Sequence, residues 1–302
     1  MNRTIDHGTL GGWVDRPSAV RDSLALVPRP LFCTESSPIR GSGNGRTVLL
    51  YRAWADVNAN AYPEYPAQQV GDCIGHAFAH AVDLLAAVQI VKRGRPESFK
   101  LTAAESIYAA ARVAIGGLGP DDPDGAVGAW AARAVTDHGT LSRDVLGPYD
   151  GQRSRLWGGT GVPEVWAKPA SGHRVHTTSL VRTYQELADS VANGYPVAVC
   201  SNVGFSTARD VDGFCAAEGA WAHCMVVVGV RADHRPGACV LQSWGPGVPA
   251  GPLAHDQPGQ SFWVDRDVVD GMLACGDSWA LSSFDGYPAQ ALPASWSYDG
   301  FA

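Results

Sequence analysis

The sequence predicts an α+β fold with helices in the first half of the chain and a β-sheet in the second. Between residues 74 and 136, apolar residues recur at three- and four-residue intervals, as they do on the buried faces of helices. From residue 196 onward they form short valine-rich runs, which are typical of strands. The chain shows no internal repeat, and its 302 residues can build one large domain or two lobes.

The predicted elements divide the chain into three parts. Helices are predicted at residues 73–91, 101–115, 126–136 and 179–192, and strands at 196–200, 223–230, 238–243, 261–264 and 278–281. Residues 1–50 have no sustained periodicity, so we interpret them as an irregular N-terminal arm. Residues 51–175 then form a helical part, and residues 176–302 form a β-rich part.

The charge pattern excludes some classes of protein. The formal net charge is −7 and the sequence pI is near 5.7, without a run of Lys and Arg, which argues against a nucleic-acid surface. Residues 1–30 lack the basic start and apolar run of a secretory signal, and no stretch suggests a membrane span. We expect a soluble, cytoplasmic protein without a nucleic-acid or membrane partner; its oligomeric state stays open.

The cysteines give no sign of a structural framework. The seven are Cys33, Cys73, Cys200, Cys215, Cys224, Cys239 and Cys275. Their number is odd, and none is spaced as CxxC, so neither a disulfide set nor a zinc cluster is indicated. We expect reduced thiols, with neither a metal nor a cofactor.

One cysteine stands at the predicted start of the first long helix. Asp72 occupies the N-cap position, and Gly71 lets the chain turn sharply before it. Cys73 then lies on the first turn, where free N–H groups and the helix dipole favour the thiolate, which is the nucleophilic form. The alternative is a small buried hydrophobic residue, the usual role of an isolated cysteine.

A cysteine nucleophile requires a base and a group that orients the base. Of the nine histidines, His223 heads the most apolar predicted strand, where a sheet would fix its ring; the alternative is a solvated strand end. The next strand ends at Gln242, whose amide is placed to orient an imidazole. Trp244 follows and is placed to exclude water from that hydrogen bond.

The order of these residues resembles that of the papain-like cysteine peptidases, most closely the compact forms of bacteria and bacteriophages. The shared features are a glutamine, Gly-x-Cys opening a helix, a histidine heading an apolar strand, and x-Ser-Trp-Gly after it. The resemblance covers roughly residues 51–287. It implies two lobes, a helical one and an antiparallel β-sheet or barrel, with the active-site cleft between them.

The resemblance also implies the roles of individual residues. Cys73 would be the nucleophile, His223 the general base and acid, Gln242 the residue that orients His223, and Trp244 its shield. The oxyanion hole would combine the backbone N–H of Cys73 with the side chain of Gln68, or of Gln69 as second choice. The family's spacing falls one or two residues earlier, at Ala67.

These roles describe a cysteine peptidase that hydrolyses peptide bonds of a protein or peptide substrate through a thioester intermediate. Two departures keep an alternative open, because Gln242 stands where the family usually has Asn and because the glutamine near Cys73 is displaced. That alternative is a weakly active or inactive binding or structural module of the same fold, such as a component of a phage particle. A serine hydrolase is not indicated, since the chain has no Gly-x-Ser-x-Gly elbow.

Overall fold

The computed structural model describes residues 11–94 and 99–299. Predictions for residues 1–10 of the arm and for the last three residues lie outside these ranges. The α-helices are α1 (Pro17–Leu24), α2 (Phe32–Glu35), α3 (Arg52–Val57), α4 (Cys73–Arg93), α5 (Ala104–Ala109), α6 (Gly128–Arg133), α7 (Arg143–Leu146), α8 (Gly151–Thr160), α9 (Glu164–Ser171), α10 (Tyr184–Ala192) and α11 (Arg266–Leu273). The strands are β1 (Arg46–Val48), β2 (Thr177–Val181), β3 (Val197–Phe205), β4 (Ala217–Arg231), β5 (Gly237–Leu241), β6 (Ser261–Asp265), β7 (Ser278–Ser282) and β8 (Ser297–Asp299).

Helix α4 is the centre of the helical part. It begins at Cys73, as predicted, and ends at Gly94, whose φ of 59° is the left-handed conformation that glycine adopts easily. Helices α3 and α5 and strands β3, β4 and β7 all pack against it. Its length and mean hydropathy of 1.5 would allow a membrane span, an apolar stretch longer than the sequence pattern suggested. Since 78% of that stretch is buried inside the fold, α4 is the core helix of the domain.

The other predicted helices of the first half are also present, with altered ends. Helix α5 continues as a π-helix over Ala110–Ile115, and α6 continues as one over Ala134–His138. Within the segment predicted to be irregular, residues 17–24 and 32–35 are helical, and β1 pairs with β4 and β8. Much of the described arm is therefore packed into the domain.

The β-rich part is a single antiparallel sheet. Its strands run in the order β2-β7-β3-β4-β1-β8, with β5 paired to β4 and β6 paired to β5. Strand β4 has 15 residues and pairs with β3, β1 and β5 along different parts of its length. Among the strands that the structure describes, none joins β2 to β8, so the sheet stays open. The predicted α+β class and antiparallel sheet are confirmed, whereas the barrel alternative is wrong.

Candidate active site

Cys73 is the first residue of α4, and its side chain is fully buried. The residue before it does not act as the sequence predicted. Asp72 holds the N-cap position, but in the described part of the chain its carboxylate makes no capping bond to the helix. It accepts hydrogen bonds from Tyr149 Oη at 2.9 Å and from Ser154 Oγ at 2.6 Å. These two bonds attach the start of α4 to the loop before α8 and to α8 itself.

The two candidate glutamines lie in different surroundings. Gln68 is buried, donates from Nε2 to the Val70 carbonyl at 3.0 Å, and accepts at Oε1 from Ser243 Oγ. Its backbone N–H also donates to the Ser243 carbonyl at 2.7 Å. Gln69 is exposed, and its N–H donates to Tyr149 Oη at 3.0 Å. The structure thus fixes Gln68 between the Cys73 loop and the end of β5, and its oxyanion role stays a prediction.

His223 lies within β4, which begins at Ala217 and is longer than predicted. Its side chain is 1% exposed, and its ring stacks on Trp244 with 4.4 Å between ring centroids and an interplanar angle of 24°. The Trp221 ring contacts the Trp244 ring edge-on, with 4.6 Å between the ring centroids. The structure therefore places Trp244 directly on His223, where a shield against water has to lie.

The strand segment that carries His223 meets the start of α4. Helix α4 packs against β4, and the pKa of the Cys73 thiol is lowered by the backbone N–H of Cys224 and raised by the Cys224 thiol. Helix α4 and strand β4 thus bring the predicted nucleophile and the segment of the predicted base together.

Gln242 follows β5, and its amide is used by the loop after that strand. Its Oε1 accepts from the backbone N–H of Trp244. Its Nε2 donates to the carbonyls of Gly245, at 3.3 Å, and Val248. These bonds hold the turn that presents the Trp244 ring to His223. Gln242 is therefore bonded to the turn that carries Trp244, and its role in orienting His223 stays a prediction.

Residues 11–14, which we call the cleft strand, cover the Cys73 sulfur. The N–H groups of Gly12 and Trp13 donate to the Ala222 carbonyl at 2.9 and 3.1 Å. On the opposite side, Val14 N donates to Ala126 O at 2.9 Å, and Ala126 N donates to Gly12 O at 2.8 Å, forming a parallel bridge. The cleft strand is thus paired by its backbone to the segments on both sides of Cys73, at Ala222 and Ala126.

Glycine is required at position 12 because of this close approach. A Cβ built there would lie 2.3 Å from the Gly71 carbonyl oxygen and 3.1 Å from the Cys73 sulfur. The first distance is far below any real contact, and the atom it involves belongs to the backbone. The cleft strand therefore lies against the Cys73 loop at a distance that only glycine permits.

The electrostatics of Cys73 differ from the expectation for an exposed first turn. Burial raises the pKa of its thiol well above the usual range, and the neighbouring Cys224 and Asp72 raise it further, although backbone N–H groups of Cys224 and Ile74 lower it. In this covered state the side chain is a thiol. The helix start alone does not make it a thiolate while the cleft strand excludes water.

The two histidines of α4 belong to a different environment. His76 and His80 line a cavity of about 600 Å³, together with Tyr65, Arg143 and Tyr149. Burial lowers the pKa of His76 to about 3, so its ring is neutral. Both rings pack against tyrosines, His76 on Tyr149 and His80 on Tyr65.

Sequence reasoning missed the cleft strand and its anchor. Trp13 is 4% exposed, and its Nε1 donates to Asp277 Oδ2 at 2.9 Å, across 264 residues of sequence. The only local signal was Gly11-Gly12-Trp13, a flexible pair followed by a large aromatic residue, in a segment without periodicity. A contact over that separation leaves no pattern in the sequence.

Comparisons with known proteins agree with this architecture. No protein-family model matches the chain, and no curated protein matches its sequence. Among solved structures, xylellain, a cysteine protease from Xylella fastidiosa, aligns over 92% of this chain and 97% of its own, with a TM-score of 0.59 and 14% identity. Procathepsin B S9 from Trypanosoma congolense aligns over 94% and 88%, with a TM-score of 0.57 and 11% identity. The proform of the ragweed pollen cysteine protease Amb a 11 aligns over 92% and 77%, with a TM-score of 0.57 and 16% identity.

These matches extend over nearly the whole chain, but identities of 11–16% concern the fold alone. The matched proteins come from different kinds of organism, so the compact bacterial or bacteriophage type stays a prediction. The helical part with α4 at its centre and the open antiparallel sheet around β4 are what they share with this chain. The chain has the fold of the papain-like cysteine peptidases.

Proposed function

We propose that the protein is a cysteine peptidase that cleaves peptide bonds through a thioester on Cys73. The observation that carries this proposal is the placement of Cys73 on the first turn of α4, against the strand segment that bears His223. The sulfur attacks the substrate carbonyl, and His223 takes the thiol proton and then gives a proton to the leaving amine. Water activated by His223 hydrolyses the thioester and restores the thiol.

The surroundings of Cys73 supply the other requirements of this reaction. The negative charge that develops on the carbonyl oxygen needs N–H donors already in place. We assign this role to the backbone N–H of Cys73 and the side-chain amide of Gln68, which lies in a buried, hydrogen-bonded position. Trp244 covers His223 and, held by Gln242, keeps its ring in place.

A peptide is the substrate that the cleft walls suit best. The Ala222 carbonyl and the N–H and carbonyl of Ala126 all pair with an extended backbone, at present that of the cleft strand. Since these groups recognise a main chain and no particular side chain, another extended peptide makes the same bonds after the cleft strand leaves. The structure thus corresponds to a latent form, and two similar solved structures are likewise described as proforms.

Two observations favour a second candidate, an inactive binding module. The amide of Gln242 is hydrogen-bonded to the loop after β5, and the Cys73 side chain is covered. In that case the walls would hold a peptide segment without cleaving it. A place in a phage particle is one form of this candidate and stays a prediction.

Turnover and thiol reactivity separate the two candidates. The full chain, opened by Gly12→Ala, is incubated with a fluorogenic peptide pool, and its cysteines are labelled with iodoacetamide at pH 6. We expect turnover, and labelling of Cys73 ahead of the other cysteines, because an imidazole partner lowers the pKa of a thiol. Cys73→Ala should abolish turnover, and His223→Ala should lower it by about 10²–10⁴-fold.

Cys275→Ala is the matched control, since this thiol is partly exposed and bonds Asn202 of β3. It should leave both readouts unchanged. Equal labelling of Cys73 and Cys275 together with no turnover would assign the protein to the binding module.

A further inference from the structure

We propose that the pocket now filled by Trp13 is the side-chain specificity pocket of this peptidase, and that Asp277 makes it select tryptophan. This inference rests on the proposed function and names the substrate class for the same site. It assigns to Asp277 the role of a specificity-determining residue and to the Trp13 side chain the role of a stand-in for the substrate.

The first argument is the backbone pairing of the cleft strand. Gly12 lies over the Cys73 sulfur, and its neighbours are held in extended conformation by the two walls of the cleft. Any peptide that uses the same wall groups puts a side chain where that of Trp13 now lies. The pocket therefore receives a residue adjacent to the one placed over the nucleophile.

The second argument is the chemistry of the pocket floor. Asp277 is 1% exposed, and its Oδ2 accepts from Trp13 Nε1 at 2.9 Å and from Gly128 N at 2.7 Å. Its Oδ1 accepts from Trp279 Nε1 at 2.8 Å. One of these three donors leaves with the cleft strand, and the other two belong to the domain. The departing strand thus exposes a fixed carboxylate oxygen at the end of the space that the Trp13 indole now fills.

Gly128 shows that the floor has a defined shape. A Cβ at this position would lie 2.7 Å from Cys200 Sγ and 2.9 Å from Asp277 Cγ. Because residue 128 has no side chain, the Asp277 carboxylate can lie under the cleft strand with its Oδ2 facing the Trp13 indole. Since Gly128 is also the first residue of α6, the carboxylate is positioned by a rigid element.

The donor requirement favours an indole over other side chains. A buried carboxylate that loses a hydrogen-bond donor is strongly destabilised, so a phenylalanine or leucine in the pocket leaves Asp277 one donor short. A tryptophan of the substrate would donate its indole N–H to Asp277 Oδ2, as Trp13 does. Burial raises the pKa of Asp277 to about 6, which leaves the carboxylate ionised, and therefore an acceptor, at pH 7.5.

Substrate mapping on the full chain tests this preference. The Gly12→Ala protein is incubated at pH 7.5 with a peptide pool, and the cut sites are read by mass spectrometry. We expect tryptophan at one fixed position next to or near the cut, with kcat/KM at least about 10-fold above the matched phenylalanine peptide. In the Asp277→Asn variant the two peptides should be cleaved at similar rates.

A second measurement does not depend on catalysis or on the folding of the Asp277 variant. In full-length Trp13→Ala protein the vacated pocket should bind indole, seen as a rise in melting temperature, at least about 10-fold more tightly than benzothiophene, which has the same shape but no N–H. The wild type, whose pocket is filled, is the control and should show no indole effect.

The outcomes distinguish the two proposals. Indole-selective binding without any turnover would leave the pocket in place and overturn the peptidase. Turnover without a tryptophan preference, or equal binding of indole and benzothiophene, would overturn the role of Asp277. A preference for Arg or Lys in the substrate map would also overturn it, since the carboxylate would then act as a counter-charge.

Discussion

The Cys73 sulfur lies between two coverings that are built differently. On one side, the loop of residues 68–73 is held by buried side chains, with Asp72 bonded to Tyr149 and Ser154. On the other side, the cleft strand is held by four backbone hydrogen bonds and by the Trp13 indole. The first covering is held by buried side chains from several elements, whereas the second is held by main-chain bonds and by one buried indole.

This difference fits the proposed role of Cys73, because a nucleophile has to be preorganised in the active form and covered in a latent form. The residues that must not move during the reaction are tied down by side chains that contact several elements. The residues that must leave are tied mainly by main-chain bonds, which water or a substrate backbone replaces at little net cost. The following predictions test whether the two coverings are independent.

The largest effect is expected at Gly12. Gly12→Ala puts a methyl group 2.3 Å from the Gly71 carbonyl oxygen, so the cleft strand must detach from Cys73. In the full chain we expect iodoacetamide to label Cys73 about 100-fold faster than in the wild type or more, because the covered state loses its population. The rate is measured by peptide mass spectrometry.

Gly271→Ala is the control for this substitution. Gly271 lies in α11, and a Cβ there meets no atom within 4 Å. Iodoacetamide should label Cys73 in the Gly271→Ala variant at the same rate as in the wild type. Unchanged labelling in Gly12→Ala would mean that the cleft strand does not limit access to the sulfur.

Changes in the first covering, the loop of residues 68–73, should alter the stability of the protein and not the access of reagents to the Cys73 sulfur. Tyr149→Phe removes the hydroxyl that donates to Asp72 and accepts from the Gln69 N–H. Removing one hydrogen-bond partner from the buried Asp72 carboxyl group should lower the free energy of unfolding by about 1–3 kcal/mol in urea titrations. Labelling of Cys73 under native conditions should stay slow, because the cleft strand is untouched.

Tyr298→Phe provides the comparison. Tyr298 is 39% exposed, so loss of its hydroxyl should change the free energy of unfolding by less than about 0.5 kcal/mol. If Tyr149→Phe also made Cys73 reactive, the two coverings would be one cooperative unit and the distinction drawn above would be wrong.

The same distinction explains how much of the molecule could be predicted from sequence. Helix α4, its start at Cys73 and the strand of His223 follow from local patterns of apolar residues, and all three were predicted. The cleft strand was not, because its bonds to Ala222 and Ala126 use main-chain atoms that any sequence provides. Asp72 was assigned to the wrong partner for a related reason: the distant Tyr149 and Ser154 replaced the local cap. The partner of Asp277 is equally non-local.

The smallest effect is expected in the pH dependence of the free energy of unfolding, and it comes from Asp72 in the first covering. Burial raises the pKa of Asp72 to about 7, above the value of about 4 for an unfolded aspartate. Between these values the folded state binds the extra proton, so the Asp72 contribution to stability is full below pH 4 and is lost as the pH rises through 7. Asp72→Asn removes this titration and keeps an oxygen that accepts from Tyr149. The difference in unfolding free energy, Asn variant minus wild type, should therefore grow between pH 4 and 7, by no more than about 1.4 kcal/mol per pH unit.

Subtracting the two proteins isolates Asp72 from the other groups that titrate in this range. His76 Nε2 lies 3.6 Å from Asp72 Oδ1, but its pKa of about 3 keeps the ring neutral above pH 4 in both proteins. Urea titrations at four pH values give the slope directly. A difference that shrinks with rising pH would mean that Asp72 is stabilised as the carboxylate, and the loop before Cys73 would then be held by charge and not by the neutral hydrogen-bond network inferred from its burial.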